Sequence, residues 1–240
     1  MKVRIQKALA ELGVASRRAI EQMILDGRIT VNSRLVVELP CFVDLARDDI
    51  RVDSKPIRKR PQERIYLLVN KPRGVVCGQN DPQGRPAVMG LVHDLKQRVY
   101  CPGGLDDETT GLVILTNDGE LTKRLTGGRS GIFSTYMAEI DGRLSEESMA
   151  ALKKGMYFED KKTPPVRVKV LSGTDAWSVL EIQAPEGRNP HIRRSLARLG
   201  HKLRRLKRTA IGPVTDRGVK IGHWRPLKDA EVAALMGEGR

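Results

Sequence analysis

The sequence predicts an α+β protein: a small helix–helix–strand module, then a larger domain on a mixed, mainly antiparallel sheet. Three observations carry this. Apolar spacing is helical through residue 27 and alternates after it. A basic, proline-bearing stretch without periodicity, 58–64, interrupts the pattern. Beyond it, short apolar or alternating runs dominate, with helical segments interspersed.

In residues 3–13, Ile5, Leu9 and Leu12 fall at i, i+4 and i+7, an amphipathic helix closed by Gly13. Ser16 can cap a second helix with Ile20, Met23 and Ile24 on one face and Gly27 as its stop. Arg17 and Arg18 occupy its first turn, where cations oppose the helix dipole; the cost points to a use, such as meeting phosphates. Residues 28–32 alternate as a strand and turn at Asn32-Ser33; 49–53 form another. After the linker, Ile65 to Asn70 is an apolar strand broken at Lys71-Pro72. Residues 78–86 are turn chemistry throughout, long enough for a mobile arm. Strands are expected at 112–115, 135–140, 166–171 and 178–184, and helices at 120–126, 145–154, 190–199 and 229–236. The domains are therefore 1–57 and 65–240, joined by 58–64.

The net charge is +14, and its distribution is more telling than its size. Residues 188–208 hold nine Lys/Arg and no acid, and 58–64 hold four against one; these two segments supply nearly all the excess. That is an electrostatic footprint for a polyanion. No apolar run approaches the roughly 18 residues of a membrane span, and the N-terminus lacks a signal-peptide pattern. Cys41, Cys77 and Cys101 are odd in number, far apart and without metal-ligand spacing. A cytoplasmic monomer without a metal is expected.

Cys101 to Leu121 is the segment richest in chemistry. It sets Asp106 at a glycine-bracketed bend before a short apolar strand, a plausible place for a working carboxylate. Asn189 can cap the helix at 190, with Pro190 at its first position and His191, Arg193 and Arg194 in its first turn. Arg193 opposite Asp106 would position the acid with neither charge buried unpaired. Tyr136 is either an ordinary half-buried strand tyrosine or a flat ring for a base to stack on. The Asp106-Asp107-Glu108 cluster suggests a glycosidase only superficially, since adjacent acids rarely span one cleft at the roughly 5 to 9 Å that chemistry needs.

Residues 4–32, from Arg4-Ile5-Gln6-Lys7 to Thr30-Val31-Asn32, resemble the S4-like RNA-binding module, with Ser33 and Ser54 where that family often has turn glycines. G-G-L-D-D-E-T-T-G-L-V-I-L-T-N-D-G-E-L, S-T-Y-M-A-E-I-D-G and E-G-R-N-P-H-I-R-R-S-L-A-R-L-G-H-K-L-R-R-L-K-R resemble successive motifs of the ribosomal-RNA pseudouridine synthases of the RsuA/RluB group. V-N-K-P-R-G-V-V (69–76) and G-R-P-A-V (84–88) match the start of that domain and its substrate-embracing loop. The resemblance implies site-specific conversion of uridine to pseudouridine without cofactor or metal. Asp106 takes the catalytic aspartate's position, Tyr136 that of the tyrosine under the flipped base, and Arg193 that of the arginine paired with the aspartate. The implied partner is ribosomal RNA, large-subunit rather than small-subunit by the linker and the 80–86 loop, free or in an assembly intermediate. Candidate RNA contacts are Arg4, Lys7, Arg17, Arg18, Arg28, Lys71, Arg85, Arg188, Arg194, Arg204, Arg205, Lys207 and Arg208. Four departures stand out: Gly104 for the usual arginine, Ser134 for lysine, Gly127-Gly128 for histidine-proline, and Pro190-His191 for arginine-glutamine. They leave a second reading open, a weakened or inactive homologue that binds rRNA during ribosome assembly.

Overall fold

The computed structural model describes residues 2–57, 62–79, 81–95, 97–128, 130–159, 161–186 and 192–238. The chain divides into two compact units, Met1–Arg64 with Lys96–Arg98, and Ile65–Leu95 with Val99–Arg240.

In the first unit, β1 (Val3–Arg4) leads into α1 (Ile5–Glu11), and α2 (Arg17–Leu25) follows. Ser16 caps α2 by accepting a hydrogen bond from the Ala19 N–H at 3.1 Å. Gly13 and Gly27 end the two helices at positive φ. β1 pairs with β4 (Phe42–Val43), while β3 (Arg34–Leu35), β2 (Ile29–Val31), β5 (Ile50–Val52) and β6 (Lys55–Pro56) form an antiparallel sheet in that order. Ile5, Leu9, Ile20, Ile24, Ile29, Val43 and Ile50 are buried together, so the helical stripe and the alternate strand positions make one core. The hairpin residues Asn32, Ser33, Asp53 and Ser54 all have positive φ. Two of these are serines, which carry the steric cost a glycine would avoid.

The second unit is built on one sheet, β12-β13-β9-β14-β8-β7-β16. Its strands are β7 (Tyr66–Lys71), β8 (Thr110–Thr116), β9 (Phe133–Asp141), β12 (Arg167–Gly173), β13 (Trp177–Pro185), β14 (Leu203–Ile211) and β16 (Trp224–Pro226), with β15 (Val214–Thr215) paired to β14. A separate hairpin joins β10 (Tyr157–Phe158) to β11 (Lys161–Lys162). Among the described strands of this sheet, β14 and β8 run parallel and the other neighbours are antiparallel. Alternation places Ser134, Tyr136, Ala138 and Ile140 of β9 and Leu180, Ile182 and Ala184 of β13 inward. They pack with Leu152 of α4 (Glu146–Lys154) and with Ile192 and Leu196 of α5 (Ile192–Arg198). On the other half of the sheet, Leu68, Leu112 and Ile114 face α3 (Gly119–Thr126) and α6 (Asp229–Met236). The opposite face of β7 and β8 meets a short 3₁₀ turn at Val88–Val92.

The basic run expected to be surface is half structural. Residues 203–211 form β14, a central strand that the charge density concealed. Leu206 and Arg208 alternate inward, and after a register shift between Arg208 and Ala210 the next buried position is Ile211. The expected cap at Asn189 and first helical position at Pro190, with His191, lie outside the described residues.

Candidate active site

Three central strands set the site. Register brings Tyr136 of β9 opposite Arg208 of β14, and Arg208 opposite Gly111 of β8. Gly111 has φ +105°, and a Cβ there would stand 2.2 Å from the Arg208 carbonyl oxygen. Only glycine permits this approach. The loop leading into β8 carries Asp106, which is exposed. Its Oδ1 accepts the Thr109 N–H at 2.6 Å, tying the side chain to its own turn. Among the described residues Oδ2 has no hydrogen-bond partner.

The interior of this loop is held by Lys71, which is 0% exposed. Its ammonium donates to the carbonyls of Val75 at 2.8 Å, Pro72 at 3.1 Å and Asp107 at 3.4 Å. Burial pulls the lysine below its ordinary pKa, opposed by nearby Cys77, Asp106 and Asp107. Lys71 is therefore a loop clamp, and its assignment as an RNA contact is corrected: no phosphate reaches a side chain with no exposed surface. Gly74 N–H adds a bond to the Asp107 carbonyl at 2.8 Å.

Outside, the loop's acids are latched by arginines. Arg85 Nη1 donates to Asp107 at 2.9 Å and also grips Asp81 at 2.9 and 3.0 Å, which holds the Asp81 carboxyl down to about 2. The 78–86 arm is thus pinned at Arg85 to the loop that carries Asp106. Glu108 sits between Arg73, at 3.0 and 2.9 Å, and Arg193, at 3.9 Å. The ion pair of Arg193 is with Glu108, two residues from Asp106, where the sequence suggested Asp106 itself.

Tyr136 is 6% exposed, and burial raises its hydroxyl's pKa. The Arg208 charge beside it works the other way, lowering that pKa. Arg208 is 2% exposed; its Nε donates to the Leu112 carbonyl at 2.6 Å and its Nη1 to Glu186 at 3.0 Å. The Ser134 hydroxyl donates to the other oxygen of Glu186. Arg208 is accordingly corrected from RNA contact to the centre of a buried network under Tyr136. Sequence spacing gave no warning, because the pairing acid lies 22 residues upstream.

Cys77 and Cys101 form a thiol pair beside the same loop. Cys77 Sγ accepts the Leu105 N–H at 3.2 Å. The hydrogen bond from Cys101 lowers the Cys77 thiol to about 7, against the opposing effect of burial, while the same bond and burial raise Cys101. A Cβ on Gly104 would lie 2.7 Å from Cys77 Cβ. No group of three or more His, Cys, Asp and Glu able to hold a metal occurs among the described residues.

The remaining candidates divide. Arg4, Arg17 and Arg18 are exposed on the first unit. Lys7 pairs with Glu11 at 3.6 Å and Arg28 with Asp53 at 2.8 and 2.7 Å. Arg204 pairs with Asp141, Arg205 with Glu139 at 3.5 Å, Lys207 with Asp216 at 2.6 Å and Arg194 with Glu159 at 3.9 Å. Much of the +9 charge of 188–208 is therefore met by acids from other segments. Arg188 lies outside the described residues. No helix is long and apolar enough to cross a membrane among them.

The sequence profile of RNA pseudouridylate synthases matches residues 65–198, and that of the S4 domain matches residues 3–36. An RNA pseudouridine synthase of Aquifex aeolicus, described as uncharacterized, is 39% identical over 98% of this chain and 94% of its own length. Ribosomal large subunit pseudouridine synthase B of Bacillus subtilis is 36% identical over 97% of this chain and 95% of that protein. A crystal structure of a pseudouridylate synthase superposes with a TM-score of 0.68 at 28% identity, covering 97% of this chain and 99% of the other.

Proposed function

Because this chain belongs to the RNA pseudouridylate synthase family, a family of isomerases, and carries an S4 RNA-binding domain, we propose that its substrate is a uridine of large-subunit ribosomal RNA and that Asp106 does the covalent chemistry. The name of the Bacillus subtilis relative supports the choice of RNA. The observation that carries the site assignment is the Asp106 carboxylate, exposed on a loop anchored by Thr109 and Lys71, with Oδ2 open. In this reading Oδ2 acts at ribose C1′ and the C1′–N1 bond breaks. The released uracil turns and rejoins C1′ through C5, displacing the carboxylate, and C5 gives its proton to solvent while N1 takes one up.

Tyr136 supports the base, with Arg208 opposite it in register on β14 and Glu186 holding both Arg208 and Ser134. Since that ring is 6% exposed, a base reaches it only when the segment covering it yields. Leu105, next to Asp106 on the same loop, packs both on the cluster containing Tyr136 and on the β7–β8 core, and in this reading it is the residue that moves. Extruding a uridine costs a few kcal/mol, which the basic surface of the S4 unit and α5 offsets by gripping neighbouring phosphates.

The test is tritium release from large-subunit rRNA transcripts labelled at uridine C5. Wild type releases tritium and Asp106→Asn does not; equal release would reject the role of Asp106. The alternative, an rRNA-binding homologue without catalysis, is motivated by Gly104, Ser134 and Pro190 in place of cations. Pseudouridine mapping in a deletion strain decides it: a uridine that regains modification on complementation excludes it.

A further inference from the structure

Away from the catalytic loop, the outer side of α5 meets the β10–β11 hairpin. Two aromatic rings stand there among four cations. Arg194 and Arg198 lie over the Phe158 ring at 4.8 and 5.5 Å, and Lys162 lies over the Tyr157 ring at 5.5 Å. Arg198 Nη1 donates to the Tyr157 carbonyl at 2.6 Å, fastening the hairpin to the helix. Tyr157 remains 62% exposed, and Lys161 and Lys162 are exposed beside it. Among the described residues here the acid is Glu159, 88% exposed and 3.9 Å from Arg194, a loose surface pair; Asp160, its neighbour in the sequence, lies outside the described residues.

A lone exposed tyrosine needs no explanation. This one differs because the hairpin that presents it is anchored and its surroundings are cationic. Aromatic faces interleaved with Lys and Arg are the combination that holds single-stranded nucleic acid: rings stack on any base, and cations follow the phosphates. The placement also fits, because Arg194 follows Arg193, whose guanidinium reaches the catalytic loop at Glu108. RNA leaving the site along α5 would pass over the hairpin.

We propose that the Tyr157–Lys162 hairpin and the outer face of α5 form a second RNA-binding site, which stacks an unpaired base flanking the target on Tyr157 and holds adjacent phosphates with Lys161, Lys162 and Arg194. The inference rests on RNA being the substrate, as proposed above. It makes Tyr157 a determinant of substrate affinity with no part in bond breaking.

The experiment uses the full chain and in-vitro transcribed large-subunit rRNA. Tyr157→Leu raises KM about ten-fold or more with kcat unchanged, whereas Tyr157→Phe, which keeps the ring, stays near wild type. Irradiation of the same RNA carrying 5-iodouridine crosslinks Tyr157, mapped by mass spectrometry. Because the side chain is exposed, the variants keep the wild-type melting temperature. A KM for Tyr157→Leu within two-fold of wild type, or crosslinks confined to other peptides, overturns the site. If wild type forms no pseudouridine while the Tyr157 crosslink persists, the enzymatic reading fails and this binding site stands.

Discussion

Replacing Arg208 by Met while Glu186 stays should destabilise the larger unit by about 3 to 5 kcal/mol, because it strands a buried carboxylate. The structure sets that magnitude. The two side chains are 2% and 8% exposed and 3.0 Å apart, where the attraction at an effective dielectric near 20 is about 5 kcal/mol. The loss also removes the bond to the Leu112 carbonyl. Thermal unfolding followed by circular dichroism should fall by about 6 to 20 °C for a unit of this size. The paired variant Arg208→Met with Glu186→Met removes both charges and should recover at least about 2 kcal/mol relative to the sum of the single changes. Additive effects would mean that the two groups do not interact, and the buried network would have to be abandoned. Native-like Arg208→Met with weakened RNA binding would restore Arg208 to the RNA surface.

Four further outcomes follow from particular contacts. Gly111→Ala should prevent the β8–β14 pairing and leave a molten or unfolded larger unit by near-UV circular dichroism; a native spectrum would contradict the 2.2 Å approach. Cys77 should be the cysteine alkylated fastest by iodoacetamide near neutral pH, since its thiol is held at about 7 while burial raises Cys41. Its folded value lies below the unfolded value of about 8.5, so Cys77's contribution to stability is present above that value and is lost as pH falls through about 7; peptide mapping that finds Cys41 labelled first would reject this. Ser54→Gly relieves a positive φ and should stabilise the S4 unit by up to about 1 kcal/mol, measured by urea denaturation; a loss of stability would deny that the turn is strained. Arg204→Ala with Arg205→Ala should lower the slope of log K against log salt by less than the roughly two expected of two phosphate contacts, because Asp141 and Glu139 already neutralise them; a drop of two or more would show that RNA displaces both acids.

How much was legible depended on whether a residue's partner was local in sequence. The helices of the first unit followed from apolar spacing with Ser16, Gly13 and Gly27 as boundaries, and their ends were found within a few residues. Strands 112–115, 135–140 and 178–184 were recognisable from apolar runs or alternation and were extended by pairing. β14 was not, because its inward positions, Leu206, Arg208 and Ile211, are broken by a register shift and include an arginine. Burying that guanidinium is favourable only with Glu186, and nothing in a window of residues 203–211 reveals Glu186. Lys71 was misread for the same reason, since a lysine before a proline looks exposed until the loop returns three carbonyls to it.

The departures at 104 and 134 illustrate the point in reverse. Read along the chain, Gly104 and Ser134 are cations lost from beside the proposed catalytic acid, Asp106. In the fold each is fitted to a neighbour. Cys77 leaves no room for a Cβ at position 104, where φ is also +71°, so an arginine there would require Cys77 to move. Ser134 is fully buried and directs its hydroxyl to Glu186, whose other oxygen holds Arg208, so the positive charge next to Tyr136 comes from β14. A lysine at 134 would bring a second buried cation to one carboxylate, at a desolvation cost of several kcal/mol. The single change Gly104→Arg should therefore lower activity, whereas adding Cys77→Gly should recover it. Pseudouridine formation by the single and double variants measures this, and a single variant more active than wild type would show that the missing cation, and not the packing around Cys77, limits the reaction.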